Sequence, residues 1–185
     1  MAMMEQKMSV HDEQLLKKLT AAVAADPRST TQDLAQAAGI SRATFNRFCG
    51  SREKLMEMIA QQAESTLREI VRIAQEPVER ESYPAALQQL IAAHTERQEY
   101  LIFCCSAQNS LNNAFWNEYL NAMDKFFLGG QKAGVFRVDI PYQTLSELFV
   151  SVISGMIDAQ SRGRVAAFGM ENVMASFFLN GAAEK

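Results

Sequence analysis

The chain has 185 residues, 48% of them apolar and 21% charged, and a formal charge of −3. That much apolar material can bury a sizeable core, which excludes disordered and collagen-like classes, and the acidity excludes a generally basic nucleic-acid coat. No apolar run approaches the ~18 residues of a membrane span, Met1–Met8 lacks the apolar stretch of a secretory signal, and Cys49, Cys104 and Cys105 form neither a disulfide framework nor a zinc spacing, so a cytoplasmic protein is expected.

Apolar residues recur at helical spacing from end to end, and no segment alternates with period two for long enough to make a strand. Leu15, Leu19, Ala22 and Val23 form a first stripe. It closes at Asp26-Pro27, because the residue before proline is pushed out of the α region. Ser29, Thr30 and Thr31 offer N-caps, with Gln32 or Asp33 placed to complete a capping box. A short helix carries Leu34, Ala35 and Ala38 and ends at Gly39; Ser41 caps a second short helix that runs to about Phe48. After the break at Gly50-Ser51, Ser51 starts a long helix with Leu55, Ile59, Ala63, Leu67, Ile70, Val71 and Ala74 inward.

Beyond the break at Pro77–Pro84, Leu87, Leu90, Ile91 and His94 mark a fifth helix. Phe115, Tyr119, Met123, Phe126 and Phe127 mark another, ended by Gly129-Gly130. A loop follows to Pro141, which suits a first helical turn. Then come Leu145, Leu148, Phe149, Val152, Ile153, Met156 and Ile157, closed near Arg162-Gly163, and a last stripe of Met170, Val173, Met174, Phe177 and Phe178. The expected fold is all-α with about nine helices.

The charge is unevenly divided. Residues 1–56 hold eight Lys/Arg against six Asp/Glu, whereas residues 57–185 hold ten against fifteen. Aromatics divide the other way, two before residue 57 and fourteen after it. A small cationic head (1–56) and a larger acidic, aromatic-rich body (57–185) are therefore expected as two functional units. Two short helices around Gly39-Ile40-Ser41 have the spacing of a helix-turn-helix, whose second helix enters the major groove N-terminus first. Arg42 and Arg47 suit phosphates or guanine edges, Asn46 suits adenine, and Ala43 and Thr44 suit a thymine methyl. Ile40, Phe45 and Phe48 fall on the opposite side. Arg52 gains nothing from the dipole at the start of its helix, which suggests an external anion such as a phosphate.

The stretch from Thr31 to Leu55, TQDLAQAAGISRATFNRFCGSREKL, resembles without a gap the DNA-binding signature of the TetR family of bacterial regulators. The resemblance implies that Thr31 and Gln32 lie against the DNA backbone, that Arg42, Ala43, Thr44, Asn46 and Arg47 face the groove, and that Arg52 meets a phosphate. Asn46 stands where the family usually has Tyr, Cys49 where it has Phe, and Arg52 where it has Lys. Cys49 reads as a small buried side chain, not a redox switch.

The resemblance further implies that the last two helices pair with those of a second copy. Ser151, Gly155 and Ala159 lie four apart, a strip of small residues that admits a close partner helix. Phe149, Val152, Met156, Val173 and Phe177 complete the expected homodimer interface. A two-fold dimer would set two recognition helices about 34 Å apart on a palindromic operator. The middle helices would enclose a small, largely apolar effector. Its expected lining is Leu90, His94, Phe103, Cys104, Phe115, Trp116, Tyr119, Met123 and Phe127, with Ser106 and Gln108 as further polar candidates. Nearby Glu96, Glu99, Glu118 and Asp124 read as a solvated face.

An enzyme would have to use Cys104 or Cys105 with His94. There is no Gly-rich phosphate loop and no metal-ligand spacing, so no catalysis, cofactor or metal is expected. The reading is a DNA-binding regulator, a dimeric repressor released by its effector. Its alternative is a helical DNA-organising or protein-interaction module without a small ligand, which a body with no cavity would favour.

Overall fold

The computed structural model describes residues 8–105 and 113–183. Among them are nine α-helices: α1 Val10–Ala25, α2 Thr31–Ala37, α3 Arg42–Phe48, α4 Arg52–Ala74, α5 Tyr83–Thr95, α6 Gln98–Cys105, α7 Asn113–Lys132, α8 Tyr142–Ser161 and α9 Met170–Ala182. Their starts follow local cap chemistry. Thr30 accepts the Asp33 amide while the Asp33 carboxylate accepts the Thr30 amide, a full capping box. Ser9, Ser41 and Ser51 cap α1, α3 and α4 through their hydroxyls. Gly39 takes φ +72°, and its amide and that of Ile40 close on the carbonyls of Gln36 and Ala35, so α2 ends in a Schellman turn.

Two apolar cores result. The body core joins the C-terminal half of α4 to α5, α7, α8 and α9. At its centre are Phe126, Phe127, Phe136, Phe149 and Phe178, with neighbouring ring centroids 5.2–6.0 Å apart. The head core joins α1, α2 and α3 to Leu55, Ile59 and Ala63 of α4 and to Tyr100 and Phe103 of α6. A cut at residue 56 therefore falls inside the head core, not between the two. α6 has no counterpart among the expected stripes. The Lys17 ammonium adds a polar tie from α1 to the Glu96 carbonyl at 3.2 Å.

α7 does not end at Gly129-Gly130 but runs through both. Tertiary packing is the reason: a Cβ on Gly129 would lie 2.7 Å from the Tyr83 hydroxyl oxygen, and one on Gly130 would enter the Phe136 ring. These glycines let α5 and the strap after α7 approach the helix closely. The strap is pinned by an isolated antiparallel bridge between Phe136 and Ala183. No helix among the described residues is long and apolar enough to cross a membrane.

Candidate functional site

α2 and α3, with the four-residue turn between them, bury Leu34, Ala35, Ala38, Phe45 and Cys49 against α1 and α4. Burial raises the Cys49 thiol pKa, and its sulfur contacts the Phe45 carbonyl at 3.5 Å. The opposite face is open. Gln32, Arg42, Ala43, Asn46 and Arg47 are exposed, and Thr31 and Thr44 are half-buried at the starts of their helices. The Thr44 and Ser41 hydroxyls lie 2.9 Å apart. One surface thus carries seven of the eight residues expected on DNA.

Arg52 is the exception. Its guanidinium donates from Nη1 to the Ser29 carbonyl at 2.9 Å and from Nη2 to the Pro27 carbonyl at 2.6 Å. The fork clasps the α1–α2 loop to the start of α4, so the expected phosphate contact gives way to an internal one. Arg52→Ala should lower stability by about 1–2 kcal/mol, since two hydrogen bonds from a charged donor disappear at a partly exposed position. Thermal unfolding reads that loss. DNA affinity should keep its slope against salt concentration, and a slope reduced by one charge would restore the phosphate assignment.

In the body, a cavity of about 340 Å³ opens between α4, α5, α6, α7 and α8. Of the nine residues expected around a ligand, His94, Trp116 and Tyr119 line it. Leu90, Met123 and Phe127 are instead packed solid in the body core. Phe103 turns the other way, into the head core. Phe115 lies under the Arg68 guanidinium, 4.5 Å from its ring centre. The side chains of Cys104, Ser106 and Gln108 fall outside the described part. The rest of the wall is Leu67 of α4, Leu101 and Ile102 of α6, and Val150, Ile153, Ser154, Ile157 and Asp158 of α8. Leu67, Ile153 and Ile157 belong to stripes that read as core; the other five carry no such signal.

His94 is almost wholly buried. Its Nδ1 lies 2.6 Å from the Leu90 carbonyl, which can only accept, so the proton sits on Nδ1. Nε2 then accepts from the Tyr119 hydroxyl at 2.8 Å. Burial pulls the imidazole pKa from 6.5 down to about 4, with the Leu90 bond opposing in part. Between those values the unfolded chain binds a proton that the folded one refuses. Stability from neutral His94 is therefore complete above about pH 6.5 and is lost as the pH falls towards 4. Denaturant midpoints at pH 7.5 and 4.5 should fall further for the wild type than for His94→Gln; equal falls would assign the acid sensitivity elsewhere.

α8 faces three ways. Leu145, Phe149, Ile153 and Ile157 point into the core. Phe149, expected at an interface, is locked among His94, Phe127 and Phe178 at centroid distances of 5.4–5.6 Å between neighbouring rings, and is corrected to a core residue. Ser151 and Gly155 are exposed, and Val152, Met156 and Ala159 are half-exposed. On α9, Val173 and Phe177 stand 60% and 68% exposed. With Leu148 at 47%, they make an apolar face along the outer side of both helices.

Known proteins share this fold. The chain is 40% identical over 182 residues to the HTH-type transcriptional regulator NfxB of Pseudomonas aeruginosa, covering 93% of this chain and 94% of that one. The TetR family transcriptional regulator PfmR from Thermus thermophilus superposes with TM-score 0.59 at 19% identity, over 92% of this chain and 94% of that one. The fatty acid degradation regulator FadR from Bacillus halodurans gives 0.58 at 13%, over 95% and 98%. The TetR-like regulator LfrR from Mycobacterium smegmatis, in complex with proflavine, gives 0.57 at 15%, over 91% and 94%. No protein-family model matches the chain. The solved structures establish the fold. Together with the NfxB match they define the class, a helix-turn-helix DNA-binding transcriptional regulator and not an enzyme. Within that class, the chain belongs to the TetR family.

Proposed function

We propose that the protein is a dimeric repressor that leaves its operator when a small, largely apolar molecule enters the cavity. The observation that carries this reading is that head and cavity share two helices. α4 contributes Leu55, Ile59 and Ala63 to the head core and Leu67 to the cavity wall. α6 contributes Tyr100 and Phe103 to the head core and Leu101 and Ile102 to the cavity wall. A molecule that wedges against Leu101 and Ile102 displaces the same short helix that α1 rests on. It shifts the operator equilibrium only by its difference in affinity for the two arrangements.

The dimer rests on the outer face of α8 and α9, where Ser151, Gly155 and Ala159 allow close approach and Val173 and Phe177 supply apolar area. Thr31, Gln32, Arg42, Ala43, Thr44, Asn46 and Arg47 would then meet two half-sites of a palindromic operator. The cavity speaks against the alternative of a DNA-organising or protein-interaction module with a solid body. LfrR, of the same fold, is a regulator that holds proflavine.

The test is a cavity-filled variant. Small molecules are screened for release of the protein from its selected operator, and those that succeed are tried on Val150→Trp. The variant should bind operator as the wild type does and resist release. Undiminished release would place the effector elsewhere.

A further inference from the structure

The chemistry of the cavity wall points to a more specific occupant. We infer that the cavity takes a flat aromatic molecule carrying a positive charge, its ring against Trp116 and its charge at Asp158; the inference rests on the effector reading above. Trp116 and Tyr119 lie side by side with ring centroids 5.2 Å apart and planes inclined by 33°, an aromatic wall on α7. Aliphatic side chains of α6 and α8 line most of the remainder. Such a slot accepts a planar ring by stacking on one side and dispersion on the other.

The polar inventory of the wall is one-sided. His94 has both ring nitrogens engaged and is held neutral. The Tyr119 hydroxyl donates its proton to His94 and so does not donate to a ligand. Ser154 offers a hydroxyl. Asp158 is the sole formal charge among the described lining residues, and it is negative. An anionic ligand would therefore enter without a counter-charge, at a heavy desolvation cost. A cation meets a carboxylate, and the faces of Trp116 and Tyr119 add cation–π attraction.

Asp158 is paired with Arg162 one turn on, Nη2 to Oδ2 at 2.7 Å. Both side chains are about 60% exposed (59% for Arg162, 62% for Asp158). Exposed pairs of this kind contribute little, typically about 1 kcal/mol or less. A cation held beside aromatic rings in a half-enclosed cavity can displace Arg162 at small cost. Arg162 thus acts as a weak internal competitor.

Calorimetric titration of the full-length protein with three ligands of matched shape tests this: 1-naphthylmethylammonium, neutral 1-naphthylmethanol and anionic 1-naphthoate. The cation should bind at least about fivefold more tightly than the alcohol, and the carboxylate most weakly. Asp158→Asn should bring the cation to the affinity of the alcohol and leave the alcohol unchanged. Arg162→Gln should strengthen the cation alone, by about twofold to fivefold. Trp116→Ala should weaken cation and alcohol together. Binding of none of the three, equal binding of cation and alcohol, or a preference that survives Asp158→Asn overturns the inference. If the cation shows the stated preference yet leaves operator affinity unchanged, the ligand class stands and the effector reading fails.

Discussion

Phe177→Glu should leave a folded monomer that no longer binds a specific DNA site. The side chain stands 68% exposed on α9, outside the body core, so the fold loses little. In a two-fold interface each substitution acts twice. Burying a phenylalanine contributes about 1.5–3 kcal/mol, so two copies give about 3–6 kcal/mol, or roughly a hundredfold to ten-thousandfold in the dimer dissociation constant. Two opposed carboxylates add repulsion. Sedimentation at micromolar concentration reads the monomer, and circular dichroism confirms retained helix. A dimer of unchanged strength would move the interface to another face. Val173→Glu, one helical turn from Phe177, should act in the same direction.

The second large effect lies on α3. Arg42 and Arg47 are exposed, and neither forms an ion pair among the described residues. The double variant Arg42→Ala/Arg47→Ala should therefore leave thermal stability alone. Each contact to a base edge or phosphate is worth about 1–3 kcal/mol, and a dimer makes each one twice. Operator affinity should fall by roughly three orders of magnitude or more. The salt slope should shrink by about one for each phosphate that loses its arginine. If the affinity loss is confined to particular operator sequences, the arginines read bases; a uniform loss with a reduced slope assigns them to phosphates.

Much of the fold was legible because its signals are local. Thr30 with Asp33, Gly39, Ser41 and Ser51 satisfy backbone groups within their own turn, so three or four residues suffice to recognise each. The exposed face of α2 and α3 was legible for the same reason, since both helices are short and the turn fixes their faces. α6 was not. Its consecutive Tyr100, Leu101, Ile102 and Phe103 face two different cores, Tyr100 and Phe103 the head and Leu101 and Ile102 the body, so no single stripe appears. That dual orientation is what makes α6 the bridge.

Gly129-Gly130 reads as a helix stop because the cause of both glycines is tertiary: Tyr83 and Phe136 occupy the space of their missing side chains. The cavity leaves still less trace. Ile153 and Ile157 belong to an apolar series on α8 that does not record which members meet another side chain and which meet empty space, and Val150 lies outside that series. Phe149 is misplaced for a related reason. A wide stripe does not say where the core ends, and the structure buries Phe149 while leaving Leu148 47% exposed. Arg52 shows the limit of charge reasoning: an apparently free cation at a helix start was answered by two backbone carbonyls from the chain itself.

Selecting bound sites from random double-stranded DNA, with the stoichiometry of the bound complex measured on the winning sequence, tests the central claim most directly. The expected product is an inverted repeat whose half-site centres are about one helical turn apart, or a whole multiple of it, occupied by two copies of the chain or a multiple of two. Enrichment of single half-sites bound by one copy, or no sequence enrichment at all, would contradict it.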